Sequence, residues 1–263
     1  MQNFDIHPTA LVSPKAIIGD SVSIGPYSIV HDNCEIGEGT SIGSHCEIGY
    51  PTLRAEGRPL IIGCRSNIRS HSVFYEGSAF GDELVTGHRV TVREGTKAGL
   101  NLQIGTLGDI QGTCEFGDFV RLHSNVHIGQ HSKIGNYVWI FPYVVLTNDP
   151  HPPSEVMRGV TLHDFVAVAT MSVILPGVEV GCGALIGAHS SVGRDVEADT
   201  VVAGAPAKRV CKTDEILLKD GSGLPAYPWR RHFGRGYPSE IVAKWLEEFG
   251  IAQPGQAAHG VTK

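Results

Sequence analysis

This chain has no long apolar run. Its longest stretch of large hydrophobic residues, Val138 to Leu146, is broken by Pro142 and falls well short of the roughly 20 residues a membrane helix needs. Met1 to His7 likewise lacks the apolar core of an export signal. These two absences predict a cytoplasmic protein with no membrane partner. Net charge is only −6, with no basic footprint, so nucleic acid is not an expected partner. The six cysteines, at 34, 46, 64, 114, 182 and 211, form no CxxC pair and no disulfide-like spacing. Reduced thiols fit the same compartment.

What the chain does have is a six-residue beat. An apolar residue recurs at every sixth position, often followed by glycine, as in Ile18-Gly19, Ile24-Gly25, Ile42-Gly43, Ile128-Gly129 and Ile186-Gly187. The phase holds from Ile6 to Ile48, from Ile62 to Leu146 and from Leu162 to Ala198, thirty hexads in all. In the first block a small or β-branched residue stands four after each leading position, as Ala16, Val22, Ser28, Cys34, Thr40 and Cys46 do. Alternate strand residues share a face, so large and small residues line one interior. Cys34, Cys46 and Cys114 fall on the small site and are read as core filler.

Three short strands and three turns close a coil of eighteen residues. Coils stacked about 4.8 Å apart give an all-β parallel β-helix of about ten coils. The expected division is a β-helix over 1–205 and a tail over 206–263. Within the tail, Thr213 would cap a short helix over Asp214 to Lys219, and Pro238 to Phe249 reads as a helix stopped by Gly250. The aromatic and basic run Tyr227 to Phe233 between them is expected to pack against the prism or a neighbouring subunit, the alternative being that its arginines and rings stack on a base or hold a phosphate. Two interruptions, 50–60 with Arg54 and Arg58, and 147–161 with Thr-Asn-Asp-Pro-His-Pro-Pro, leave from the same prism edge. Loops that break a repeat often carry function.

Residues eighteen apart sit one above another, which brings distant side chains together. Glu76, Glu94, Gly112, Gln130 and Asn148 form one column at the loop-bearing edge, where Glu76 and Glu94 would raise one another's proton affinity. Thr113, His131 and Asp149 form a second, and Asp109 pairs with His127 on the outward face. The polar run Leu122-His123-Ser124-Asn125-Val126-His127 marks the middle coils as a site. There His123, Glu94 and Asp109 are the candidate catalytic groups, and Asn125 a substrate or oxyanion hydrogen-bonder. Glu76, His127, His131, Asn148 and Asp149 are candidate substrate contacts.

The repeat, ended by Gly204-Ala205-Pro206-Ala207-Lys208-Arg209-Val210, resembles the hexapeptide-repeat acyltransferase superfamily, most of all its nucleotide-sugar N-acyltransferases. The resemblance implies a left-handed coil and a homotrimer with sites between adjacent prisms. It also implies acyl transfer from coenzyme A to the amine of a nucleotide-linked amino-deoxysugar. Thr170, Ala188, Gly204, Ala205, Lys208 and Arg209 would hold coenzyme A, the two cations facing its phosphates. In several relatives a catalytic histidine precedes an acidic residue and a cysteine. The corresponding run here is Gly112-Thr113-Cys114, without that histidine.

Rival enzyme readings are an acyl-carrier-protein-dependent O-acyltransferase of the lipid A type and a tetrahydrodipicolinate acyltransferase. A γ-type carbonic anhydrase would need a three-histidine zinc site, whose spacing His88, His123, His127 and His131 do not match, so no metal is expected. A non-catalytic trimeric scaffold would need neither the cationic ending nor the polar loop.

Overall fold

In the computed structural model, which describes residues 5–251, the chain is a parallel β-helix followed by a short tail, dividing into two compact units at Val210/Cys211. Strands, most of them two residues long, stack into three sheets of twelve, ten and nine strands, parallel from coil to coil. They form the first, second and third faces of the prism. Partners stand eighteen residues apart, as in Asp109 with His127 and Ile110 with Ile128. The twelve-stranded face contains eleven strands at coil spacing, so ten full coils are followed by the start of an eleventh. No described helix is long and apolar enough to cross a membrane.

The leading hexad residues form the core. Ile48, Ile62, Phe74, Ile110, Ile128, Ile140, Ile174 and Ile186 are all at most 1% exposed. The small sites have a chemistry of their own. The Ser78 hydroxyl donates to the Arg93 carbonyl at 3.0 Å and accepts from the Thr96 amide at 3.1 Å. Ser66 repeats the pattern between the Gly63 carbonyl and the Leu84 amide. A buried hydroxyl thus pairs backbone groups that the turns would otherwise leave unsatisfied. Cys34, Cys46 and Cys114 occupy the same sites and are buried. Burial pushes the Cys34 thiol up to about 12 and that of Cys114 to about 11, which keeps both protonated at neutral pH.

Both interruptions leave the second face and return on the third. The first runs between Glu47–Tyr50 and Leu60–Ile62, the second between Val145–Leu146 and Thr161–Leu162. The end of the repeat departs from the hexad count. Val180 bridges Val196 and Ile186 pairs with Val202, a spacing of sixteen, so Val196 and Val202 are the inward residues and Ala198 is exposed. An apolar residue at 198 kept the sequence phase by coincidence while the coil itself lost two residues.

In the tail unit the expected helix after Thr213 is a single 3-10 turn, Thr213–Glu215. The last helix is Ser239–Glu248, flanked by Pro238 and Phe249 as expected. Within this unit Arg230 and Arg231 each lie 4.8 Å over the Phe249 ring, and Trp229 meets Trp245 edge-on at 5.5 Å. The run Tyr227 to Phe233 is thereby engaged with its own helix.

Candidate active site

The clearest polar arrangement lies on the outward side of the second face. Ile110 points into the core, so its neighbours Asp109 and Gln111 point out, and the next coil places His127 above Asp109. The imidazole Nδ1 is 2.9 Å from Asp109 Oδ2, which also accepts from the Gln111 amide at 2.8 Å. With Nδ1 held by a carboxylate, the imidazole takes the tautomer that leaves its Nε2 lone pair free. His127 donates the hydrogen bond that most strongly holds the Asp109 carboxyl below its ordinary 3.8, with smaller help from Gln111 and the Arg93 charge.

This depression has a sign that can be tested. A carboxylate whose folded-state value is depressed adds stability above its unfolded value near 3.8 and loses it as pH falls through the lower folded value. Asp109→Asn should therefore unfold at a lower temperature than the parent at pH 7, and the gap should close in acid. Thermal unfolding of both at pH 7 and pH 3 measures it; a gap that persists unchanged in acid would contradict the pairing.

One coil below, at the loop-bearing edge, Glu94 is 4% exposed. Its Oε1 lies 3.1 Å from Arg93 Nη2 and 3.7 Å from Arg54 Nη1, the latter reaching in from the first loop. Its Oε2 is buried without a hydrogen-bond partner. Glu76, expected to couple with Glu94, is instead turned to the loop, accepting from the Thr52 amide at 2.9 Å. Each carboxylate thus turns to donors of its own, Glu76 to the loop backbone and Glu94 to two arginines.

Two further expectations separate. Asp149 is bound within its own loop, accepting from the His151 amide at 2.9 Å and from the Ser154 amide at 2.8 Å and its hydroxyl at 2.6 Å. The residue stacked on the His131 backbone is Gly159, because the chain re-enters the coil only at Thr161. Asn148 closes the same loop, its carbonyl accepting from the Arg158 amide at 2.8 Å. His123 lies on the first face, stacked on Phe141 at 4.8 Å and 13° and tilted against Trp139. Burial lowers its pKa, so it is neutral at pH 7. Asn125 occupies the turn between His123 and His127 with φ 59.

The far end of the prism carries the cations. A cavity of about 380 Å³ is lined by Arg194, Lys208 and Arg209 together with Asp195, Glu197 and the core residue Val202. Gly204, with φ 100, and Ala207 are stitched to the coil beneath by the bonds Ser191 N to Gly204 O and Ala207 N to Ser191 O. Ala205 and Pro206 span the turn between them. By ladder register Thr170, Ala188 and Gly204 stand in one column at the edge between the first and second faces. That column continues through Pro142 to Ser124, beside Asn125. Among the described residues no three His, Cys, Asp or Glu side chains converge as metal ligands.

Comparison with known proteins agrees with this architecture. Residues 15–50 match the family described as bacterial transferase hexapeptide (six repeats). The chain is 36% identical over 92 residues to a 2,3,4,5-tetrahydropyridine-2,6-dicarboxylate N-acetyltransferase of Staphylococcus aureus, a match covering 35% of this chain and 33% of the relative. It thus spans about a third of the length of the curated relatives it matches. The solved structure of an Arabidopsis UDP-N-acetylglucosamine acyltransferase superposes with a TM-score of 0.68 at 21% identity, over 92% of this chain and 88% of that one. The Campylobacter jejuni UDP-N-acetylglucosamine acyltransferase gives 0.50 at 22% identity, over 93% and 82%. At such identities the likeness is one of fold.

Proposed function

We propose that this chain, which belongs to the hexapeptide-repeat acyltransferase superfamily, transfers an acetyl or related acyl group from coenzyme A to the amine of a nucleotide-linked amino-deoxysugar. The observation that carries the reading is the Asp109–His127 pair, a positioned base on an open face beside the column that ends at Gly204, four residues before Lys208 and five before Arg209 of the cationic cavity. Four coil steps separate Gly204 from Ser124, about 19 Å. The twelve bonds from the inner phosphate oxygen of coenzyme A to its sulfur span roughly 15 Å. Phosphates held at the cationic end would bring the thioester near Asn125.

Asp109 fixes the imidazole, whose Nε2 takes a proton from the acceptor nitrogen as that nitrogen attacks the thioester carbonyl. The carbon–sulfur bond breaks and the departing thiolate takes up the proton. Asn125 supplies a hydrogen bond to the developing oxyanion, and the neutral His123 with Phe141 forms the wall on the first face. Three chains would assemble in the cytoplasm with sites between adjacent prisms.

The test is thiol release from acetyl-CoA with a panel of dTDP-, UDP- and GDP-linked amino-deoxysugars, with tetrahydrodipicolinate as the rival acceptor and an acyl carrier protein as the rival donor. Turnover of an amino sugar supports the reading, and turnover of tetrahydrodipicolinate alone replaces it. The S. aureus match gives that second reading its place in the panel. Lys208→Ala with Arg209→Ala should raise the acetyl-CoA KM about tenfold with kcat within about twofold, the signature of a binding contact uniform along the reaction. An unchanged KM would remove those side chains from the phosphate site.

A further inference from the structure

Below the Asp109–His127 pair, the same outward face carries a row of rings that the reaction itself does not use. We infer that Tyr50 and Tyr75 form a stacking platform for the nucleobase of the acceptor, with Arg93 and Arg54 as its diphosphate clamp. The inference rests on the nucleotide-linked acceptor proposed above and assigns the part of that molecule remote from the amine.

The row is built by a local break in the ladder. The strand Glu47–Tyr50 is four residues long, and the register slips between Phe74 and Tyr75, so that Tyr75 stands opposite Tyr50. Gly49 makes the slip possible: its φ is 79, and a Cβ there would lie 2.1 Å from Cys34 Sγ. The result places the Tyr50 and Tyr75 rings 4.9 Å apart, with His31 edge-on to Tyr50 at 6.2 Å. Tyr50 is 39% exposed, so part of the platform is open to a ligand. Rings of this kind receive any base, since every base has a π-face.

Immediately above, the Arg93 guanidinium lies 6.0 Å from the Tyr75 centroid. Glu94 holds it at 3.1 Å and draws Arg54 of the first loop to within 3.7 Å of the same oxygen. A buried carboxylate that gathers two guanidinium groups leaves most of their N–H donors free for an anion, and the exposed Arg54 can reach it without leaving the loop. One coil further on come Asp109 and Gln111, then His127.

The order along the face is therefore rings, cations, then carboxylate and imidazole. A nucleotide-linked amino sugar has the same order: flat base, diphosphate, then a hexose bearing the amine. The lengths agree as well. Two to three coil steps separate Tyr75 from the Asp109–His127 pair, about 10 to 14 Å, and ten bonds link the glycosidic nitrogen to the sugar's anomeric carbon, roughly 12 Å when extended.

Calorimetric titration of UDP and of dTDP into the full chain tests this. At least one should bind, with affinity reduced about tenfold by Tyr75→Leu and retained by Tyr75→Phe, while Arg93→Gln should erase the preference for the diphosphate over the nucleoside. No binding by either nucleotide, or binding indifferent to both Tyr75→Leu and Tyr50→Leu, overturns the platform. Turnover of an amino-sugar substrate with unchanged KM in Tyr75→Leu overturns it too, and leaves the proposed reaction standing. Nucleotide binding that depends on the tyrosines, without turnover of any nucleotide-linked amine, supports the platform and removes the acceptor reading instead.

Discussion

Replacing Asp109 by asparagine should lower kcat with the amine acceptor by about 10²- to 10³-fold while leaving the acetyl-CoA KM within about twofold, since general-base catalysis contributes on that scale. The reason lies in the proton on His127. The Asp109 carboxylate accepts from Nδ1 at 2.9 Å and from Gln111 at 2.8 Å and offers no proton of its own, so the imidazole lone pair stays on Nε2. An asparagine amide at the same place can donate to Nδ1, turn the tautomer over and put a hydrogen where the lone pair was needed. His127→Asn should cost about as much as Asp109→Asn, and the double variant little more than either, because the two side chains act as one unit. Steady-state kinetics at saturating acceptor decide it. Losses under tenfold in both single variants would mean that nitrogen attacks without a protein base and the thiolate alone takes the proton.

The Asp109–His127 pair was readable before any coordinates because it depends only on the eighteen-residue coil. Both residues stand on the outward side of neighbouring strands in an uninterrupted part of the repeat. The departure of both loops from one edge was readable for the same reason. Where the repeat is interrupted, the arithmetic stops holding. Gly159, not Asp149, lies over His131, since a loop decides its own path and Asp149 satisfies its oxygens within it. Glu76 and Glu94 were correctly placed in one column, but a column fixes backbone positions and not side-chain partners: Thr52 and two arginines took the carboxylates separately. Arg93 and the tyrosine row carried no periodic signal. Arginine can reach beyond one coil, and the Gly49 slip that aligns Tyr50 with Tyr75 breaks the very period that reveals the rest.

Restoring a histidine at position 112, where the family resemblance leads one to expect it, should destabilise the chain and not activate it. Gly112 holds φ 91, a backbone angle that side chains rarely adopt. A Cβ there would meet the Glu94 carbonyl oxygen at 2.5 Å and Arg93 Cβ at 3.3 Å. That carbonyl is engaged, accepting from the Thr113 amide at 2.8 Å, so relief of the clash costs a ladder bond as well as backbone strain. Gly112→His is expected to lower stability by about 1 to 3 kcal/mol and the unfolding temperature by roughly 3 to 10 °C. Gly112→Ala should reproduce most of the loss, because the first carbon causes it. Thermal unfolding of the two variants checks this, and an unchanged midpoint would show that the turn accepts a side chain there. The departure from the relatives' pattern is thus fixed in the backbone of this edge. The same turn that leaves no room for a histidine keeps Glu94 and Arg93 where they gather Arg54, and in the proposed reaction proton transfer would fall to the His127 imidazole one coil above on the second face.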